Sequence, residues 1–433
     1  MRLIKALTLT ISILFLFASH GVAEKRDSIV VSLVTCWPGA DVYALCGHEA
    51  VRVRSASMDS VWNYGTFDFN QPHFLYRFVK GETDYKLTAI PYSLFMPEYL
   101  IERRRVVEQE LNLTQDEAWK MLARLRHRAL PENATYRYNY VKDNCATRII
   151  DDIDRSTDSE VIYPDTVKYD TFRNAMRAYH KDYPWYQFGI DVALGSGIDY
   201  QLKGRDEMFV PLEMMEKAAG AHLSDGRQLV SATRVLNEGD ADATLGPTHW
   251  SRTPIVVCSV FFVIATIASL LQLKRKKIFR PLYSVWFFIC GAAGVVVTFL
   301  VTISVHEATS PNILILWLNP LQLILAIGVW WPKKLRYVNL AIAYYDVIVT
   351  GILLIIWPFQ NQSGNIAIFP LMGATLALAL AYAIILTKSS YKIERNTHKN
   401  EEINLLGAIG SSRSRRGGSK HSGKATTRGG NHR

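Results

Sequence analysis

The chain has 433 residues, 49% of them apolar, with five cysteines, which is length enough for two domains. Its formal net charge of +10 suggests nucleic acid until the charge is located: residues 388–433 hold 11 basic and 3 acidic residues. The remainder is near neutral and its main domain is expected outside the cytoplasm, which argues against nucleic acid as a partner.

Residues 1–23 combine Arg2 and Lys5 with an apolar run through Leu14, Phe15, Leu16 and Phe17, then small Gly21 and Ala23. This is the pattern of a cleaved secretory signal. An exported domain is expected over 24–250. Within it, Ile29 to Thr35 is β-branched and ends in the turn Cys36-Trp37-Pro38-Gly39. Ala50, Val51 and Val53 predict a second strand with His48 at its start, and Val61 to Phe69 a third, rich in aromatics. Phe74 to Val79 reads equally as a short helix or a strand. Thr114-Gln115-Asp116-Glu117 is a capping-box sequence, followed by Ala118, Trp119, Leu122 and Leu125 on one helical face.

Tyr136, Tyr138 and Tyr140 alternate as in a strand. Asp143 and Asn144 are N-cap residue types, and Ile149, Ile150 and Ile153 then recur at helical spacing, so Cys145 falls in the first turn of a helix. Unpaired amides and the helix dipole there favour a thiolate and predict a lowered thiol pKa. The alternative is a small buried hydrophobe, against which stand the polar neighbours Asp143, Asn144, Thr147 and Arg148. Pro184 to Asp191 reads as an aromatic loop. Cys36, Cys46 and Cys145 lie in the exported part, so at least one thiol is free, and a Cys36–Cys46 disulfide ahead of His48 is one open pairing.

Beyond Pro254 the composition becomes that of a membrane protein. Five apolar runs, near 254–273, 282–303, 313–331, 338–357 and 366–386, approach the ~20 residues that cross a bilayer, giving an expected five-helix transmembrane domain over 254–387. Basic residues Lys274 to Arg280 follow the first run, Lys333, Lys334 and Arg336 the third, and a basic tail over 388–433 the fifth. The intervening segments 304–312 and 358–365 carry no Lys or Arg. The positive-inside rule then puts the tail, expected to be disordered, in the cytoplasm and the thiol domain in the periplasm. Asp346 inside the fourth run is expected to be paired between helices or functional. His306, in an external segment at the membrane surface, is either a solvated loop residue or part of the site.

A cysteine at a helix start and a histidine on a strand form a papain-type pair, in which the imidazole takes the thiol proton and a polar group orients the ring. The order His48, Asn63, Cys145 resembles the circularly permuted NlpC-like group that includes the lecithin:retinol acyltransferase type, with Asp59 and Asp68 as rivals of Asn63. More closely, Gly47-His48-Glu49-Ala50-Val51-Arg52-Val53, Asn63-Tyr64-Gly65-Thr66-Phe67-Asp68, Asp143-Asn144-Cys145-Ala146-Thr147-Arg148 and the five apolar runs resemble the Lnb-type lipoprotein N-acyltransferases of the Bacteroidetes. The resemblance implies an α+β papain-like (permuted NlpC-type) periplasmic domain ahead of an all-α membrane domain in the cytoplasmic membrane. It also implies transfer of a fatty acyl chain from a phospholipid, through a Cys145 thioester, to the α-amine of a diacylated lipoprotein. Cys145, His48 and Asn63 are the candidate catalytic residues, and Asn144, Arg148 and His306 candidate substrate or oxyanion contacts. The motifs call for no metal and no cofactor. A peptidoglycan-cleaving NlpC-like peptidase and a non-catalytic membrane scaffold are the competing readings.

Overall fold

The computed structural model describes residues 27–240, 244 and 246–388. The expected signal, and all of the basic tail except Lys388, lie outside the described residues. The chain divides into two compact units. One holds the residues up to 257 together with 296–315 and 359–368, and the other holds 258–295, 316–358 and the residues from 369 onward.

β-branched alternation builds the sheet of the first unit. Strands β1 (Val30–Cys36), β2 (His48–Arg54) and β3 (Asp59–Thr66) are followed by helix α1 (Phe74–Lys80), which settles the ambiguous segment as helix. Then come β4 (Asp84–Pro91), α2 (Tyr92–Ile101), β5 (Val106–Leu111), α3 (Gln115–Arg128), the short edge strand β6 (Thr135–Arg137) and α4 (Cys145–Asp154). The two-residue strand β7 (Val161–Ile162), helices α5 (Phe172–Tyr179), α6 (Pro184–Ala193) and α7 (Pro211–Gly220), its partner strand β8 (His222–Leu223) and finally β9 (Val230–Asn237) complete the domain. Seven strands pair antiparallel in the order β6-β4-β3-β2-β1-β5-β9, with Cys36 opposite His48. This is the expected α+β architecture.

Strand alternation gives the sheet two buried faces. Val31, Leu33, Val51, Val53, Trp62 and Tyr64 point toward α3, α4 and α7, where Met121, Leu122, Ile149, Ile153 and Met214 cover them. Val34, Cys36, Ala50 and Val61 point the other way, onto Phe95, Met96 and Tyr99 of α2. The Thr114 capping box forms as expected, with Thr114 Oγ1 accepting from Glu117 N at 3.2 Å and Glu117 Oε2 from Thr114 N at 2.8 Å. Residues 184–191 are not a loop but lie in helix α6: Pro184 occupies its first turn, where its missing N–H costs nothing.

Two segments of the apolar half belong to this first unit. Asn365 Nδ2 donates to Asp191 Oδ2 at 2.9 Å, Arg177 donates to Ser363 Oγ at 2.8 Å, and Asn312 Nδ2 donates to the Val192 carbonyl at 2.9 Å. Under them lies a buried ion cluster in which Arg173 meets Asp191 at 3.1 Å and Asp199 at 2.8 Å.

The second unit is helical. Helices α8 (Pro254–Arg275), α9 (Arg280–Thr302), α11 (Arg336–Ile356) and α12 (Ile368–Lys388) are long and apolar enough to cross a membrane. The third expected span is different. It is a shorter stretch, Ile313–Gly328, made of a 3-10 turn (Ile313–Leu316) and helix α10 (Leu321–Gly328). Pro320 explains the break, since it has no N–H to donate and biases Asn319 away from helical backbone. Asp346 is buried and accepts from Gln322 Nε2 at 3.0 Å, joining α11 to α10.

Candidate active site

The start of α4 is built by Asn144, 4% exposed. Its Oδ1 accepts from Thr147 N at 3.0 Å while Thr147 Oγ1 accepts from Asn144 N at 2.8 Å. Its Nδ2 donates to the carbonyls of Tyr140 at 2.9 Å and Phe209 at 2.8 Å. Every polar atom of this side chain is engaged in holding the turn. Asn144 thus positions Cys145 by capping its helix.

Cys145 is buried, and its thiol lies against the backbone N–H groups of Glu49 and Ala146. It therefore meets β2 at the peptide that joins His48 to Glu49. Burial pushes the thiol up to about 11, with those N–H groups pulling it back only in part. The expected lowering is thus reversed: desolvation of a thiolate outweighs the helix start.

His48 and Asn63 come together as the order of motifs implied. His48 Nε2 donates to Asn63 Oδ1 at 3.2 Å, and Asn63 Nδ2 donates to the Val61 carbonyl at 3.4 Å. The ring's Nδ1 keeps its lone pair. The rivals are occupied elsewhere: Asp59 is paired with Arg52 at 2.7 Å, and Asp68 accepts from Asn70 N within its own turn at 2.8 Å. Burial lowers His48 to about 4, opposed by the Asn63 bond and assisted by the Arg104 cation. The ring is neutral at neutral pH. His48 is in phase with Ala50 on the α2 face, and among the described residues no hydrogen bond joins it to Cys145.

Glu49, which the motifs did not single out, faces α4 in phase with Val51. Its Oε2 accepts from Thr35 Oγ1 at 2.8 Å, and its buried Oε1 has no partner. Burial raises this carboxyl well above its ordinary value, opposed by the Thr35 bond, and it stands beside the thiol. A buried glutamate in a β-branched strand was the signal available for it.

Arg148 is engaged bidentately by Asp143 at 2.5 and 2.7 Å, with its guanidinium 3.5 Å from the centre of the Tyr136 ring. His306 lies at α1, where its Nε2 donates to the Phe78 carbonyl at 3.0 Å. Its neighbour Glu307 reaches Lys142, three residues before Cys145, at 2.5 Å. The Cys36–Cys46 disulfide does not form. Both thiols are free, Cys36 packed against Phe95 and Tyr99 in the α2 face and Cys46 bonded to Tyr140.

Two family models match this chain: the Lnb N-terminal periplasmic domain over residues 23–178 and the Lnb transmembrane domain over residues 247–390. No curated protein and no solved structure matches it. The matched stretches together cover well over half of the chain, in the order and with the fold described above. The chain is thus an Lnb-type protein, a periplasmic α+β domain followed by a transmembrane domain.

Proposed function

We propose that this protein is a thiol acyltransferase that moves a fatty acyl chain from a phospholipid to the free α-amine of a diacylglyceryl-cysteine lipoprotein. The observation that carries the reading is the placement of Cys145, the first residue of a capped helix, against the His48–Glu49 peptide in a chain with both Lnb domains. Cys145 is the nucleophile and His48 its base, with Asn63 holding the ring so that Nδ1 is the accepting nitrogen. Resting thiol and imidazole are both neutral and belong to opposite faces of the sheet, Cys145 with α4 and His48 with α2, so the pairing requires the His48 ring to turn around the end of β2 when substrate binds.

In the first half-reaction Sγ attacks the ester carbonyl carbon as its proton passes to His48 Nδ1. The C–O bond breaks and His48 returns that proton to the departing lysophospholipid oxygen. In the second, the lipoprotein amine attacks the thioester carbon, the C–S bond breaks, and the amine's proton returns through His48 to sulfur. Splitting the transfer in two suits substrates that are both lipid-anchored and arrive in turn.

The first unit also carries a feature suited to lipid. Leu75, Tyr76 and Phe78 of α1 are exposed, 72% for Leu75, while Tyr76 stacks edge-on against Phe299 near the end of the spanning helix α9. The protein belongs on this reading in the cytoplasmic membrane, with its tail in the cytoplasm.

Mass spectrometry of lipoprotein N-termini tests the function. Loss of the protein, or Cys145→Ala in its place, leaves the termini diacylated. Triacylated termini in cells with normally expressed Cys145→Ala contradict the reading, and cleaved peptidoglycan stem peptides in place of N-acylation support a cell-wall peptidase instead.

A further inference from the structure

The most completely assembled nucleophile–base set among the described residues does not involve Cys145. Cys46 Sγ lies 3.7 Å from His180 Nε2 and 3.0 Å from the Tyr140 hydroxyl. On the far side of the ring, His180 Nδ1 donates to Gln187 Oε1 at 2.7 Å. That bond fixes the tautomer, leaving the Nε2 lone pair facing both the Cys46 sulfur and the Tyr140 hydroxyl, the latter at 3.4 Å. His180 is fully buried, Gln187 nearly so, and Cys46 is half-buried, with burial pushing its thiol up to about 11 and the Tyr140 bond opposing it. Helix α6 supplies Gln187 and the end of α5 supplies His180, with the ring of Tyr186 packed edge-on against the imidazole.

The position is as informative as the geometry. Cys46 precedes His48 by two residues, and Tyr140 precedes Cys145 by five. A cavity of about 400 Å³, lined by Leu45, Tyr179 and Tyr183 together with the polar Lys181, Asp182 and Thr244, lies beside the chain neighbours of both Cys46 and His180.

We propose that Cys46 is a second acyl-accepting thiol, with His180 as its general base and Gln187 as the residue that positions the ring. Its substrate class is a carboxylic ester, taken up by the thiol that the imidazole deprotonates. Sγ attacks the ester carbonyl as the thiol proton moves to His180 Nε2. The ester C–O bond breaks, the proton goes to the departing alkoxide, and the products are S-acyl Cys46 and a free alcohol. The Tyr140 hydroxyl is placed to donate to sulfur once its proton has left. This goes beyond the Cys145 reaction and does not depend on it.

The test uses full-length protein in detergent with p-nitrophenyl octanoate as the probe, followed by peptide mapping of hydroxylamine-labile adducts. In Cys145→Ser protein a burst of nitrophenol accompanies one octanoyl group on the Cys46 peptide. His180→Asn slows that burst by ~10²-fold, the low end of what a general base contributes. Gln187→Leu slows it as well, whereas Gln187→Glu, which keeps an acceptor oxygen in place, retains it. Absence of an adduct on Cys46 in Cys145→Ser protein with wild-type thermal stability overturns the inference, as does an adduct whose rate ignores both His180 and Gln187 substitutions. The adduct on Cys145 in the wild type reports separately on the proposed function, so one can fail without the other.

Discussion

Cys145 is a neutral thiol at rest because the free energy of burying a thiolate exceeds what the backbone N–H groups of Glu49, Ala146 and Cys145 itself return. With its pKa near 11, the thiolate fraction at pH 7 falls about 300-fold below that of a free cysteine at ~8.5. Alkylation of Cys145 by iodoacetamide, followed by peptide mapping, is therefore slow at pH 7 and climbs with pH until about 11; a plateau below pH 8 contradicts this. His48 titrates in the opposite sense. Its folded pKa is depressed to about 4, against ~6.5 when unfolded, so the unfolded chain takes up a proton first as pH falls. Stability is lost between about pH 6.5 and 4, and His48→Gln flattens that part of the profile, read as thermal midpoint against pH in one detergent. Asn63→Ala releases the ring without removing the base, so it slows turnover less than His48→Gln, whose loss falls in the ~10²–10⁴-fold range of general base catalysis.

Helix α4 is the element that turns these residues into a site. Three isoleucines anchor it to the sheet, and Tyr64 donates to the buried Asp152 at 2.6 Å, which also meets Arg124 and Arg128. Asn144→Ala removes both the cap and the partner of two carbonyls, Tyr140 and Phe209, for about 1–3 kcal/mol, visible as a lowered thermal midpoint. In the proposed reaction, helix α1 is where the lipid substrate is met. Leu75→Ser with Phe78→Ser lowers the rate on vesicle phospholipid about tenfold through lost apolar burial, while a short water-soluble ester is turned over as before. The legibility of these elements followed from local pattern. The β-branched strand after His48, the Thr114 capping box and the Asn-Cys helix start are each specified within about ten residues, and the structure contains all three. Helix α6 was hidden because Pro184 and a run of aromatics read as a loop, although proline at a first turn is compatible with helix. Long-range partners left no local trace: Cys46 and His180 are 134 residues apart in sequence. The thiol is raised where the helix start alone predicts a lowering, because the helix start is local and burial is not.

At the scale of the whole molecule, the charge pattern and the packing of the first unit agree on sidedness. Segments 304–312 and 358–365, which carry no Lys or Arg, are the ones that bond to the thiol domain through Asn312, Ser363 and Asn365. A reporter active only outside the cytoplasm works when fused after Asn361 and fails after Lys334 or Ser390; the reverse pattern contradicts the periplasmic placement of the thiol domain. The third apolar run is a broken and shorter helix, a departure that composition alone did not reveal because Asn319 and Pro320 interrupt an otherwise uniform stretch. The central claim is that the acyl group rests on Cys145 between two lipid-anchored substrates, and intact-mass spectrometry of the purified protein tests it most directly. Incubated with phospholipid alone, the wild type accumulates a hydroxylamine-labile acyl group mapped to Cys145, discharged as an amide when a diacylated lipopeptide with a free amine is added. No adduct on Cys145 under these conditions, or amide formation at the wild-type rate by Cys145→Ala protein, contradicts it.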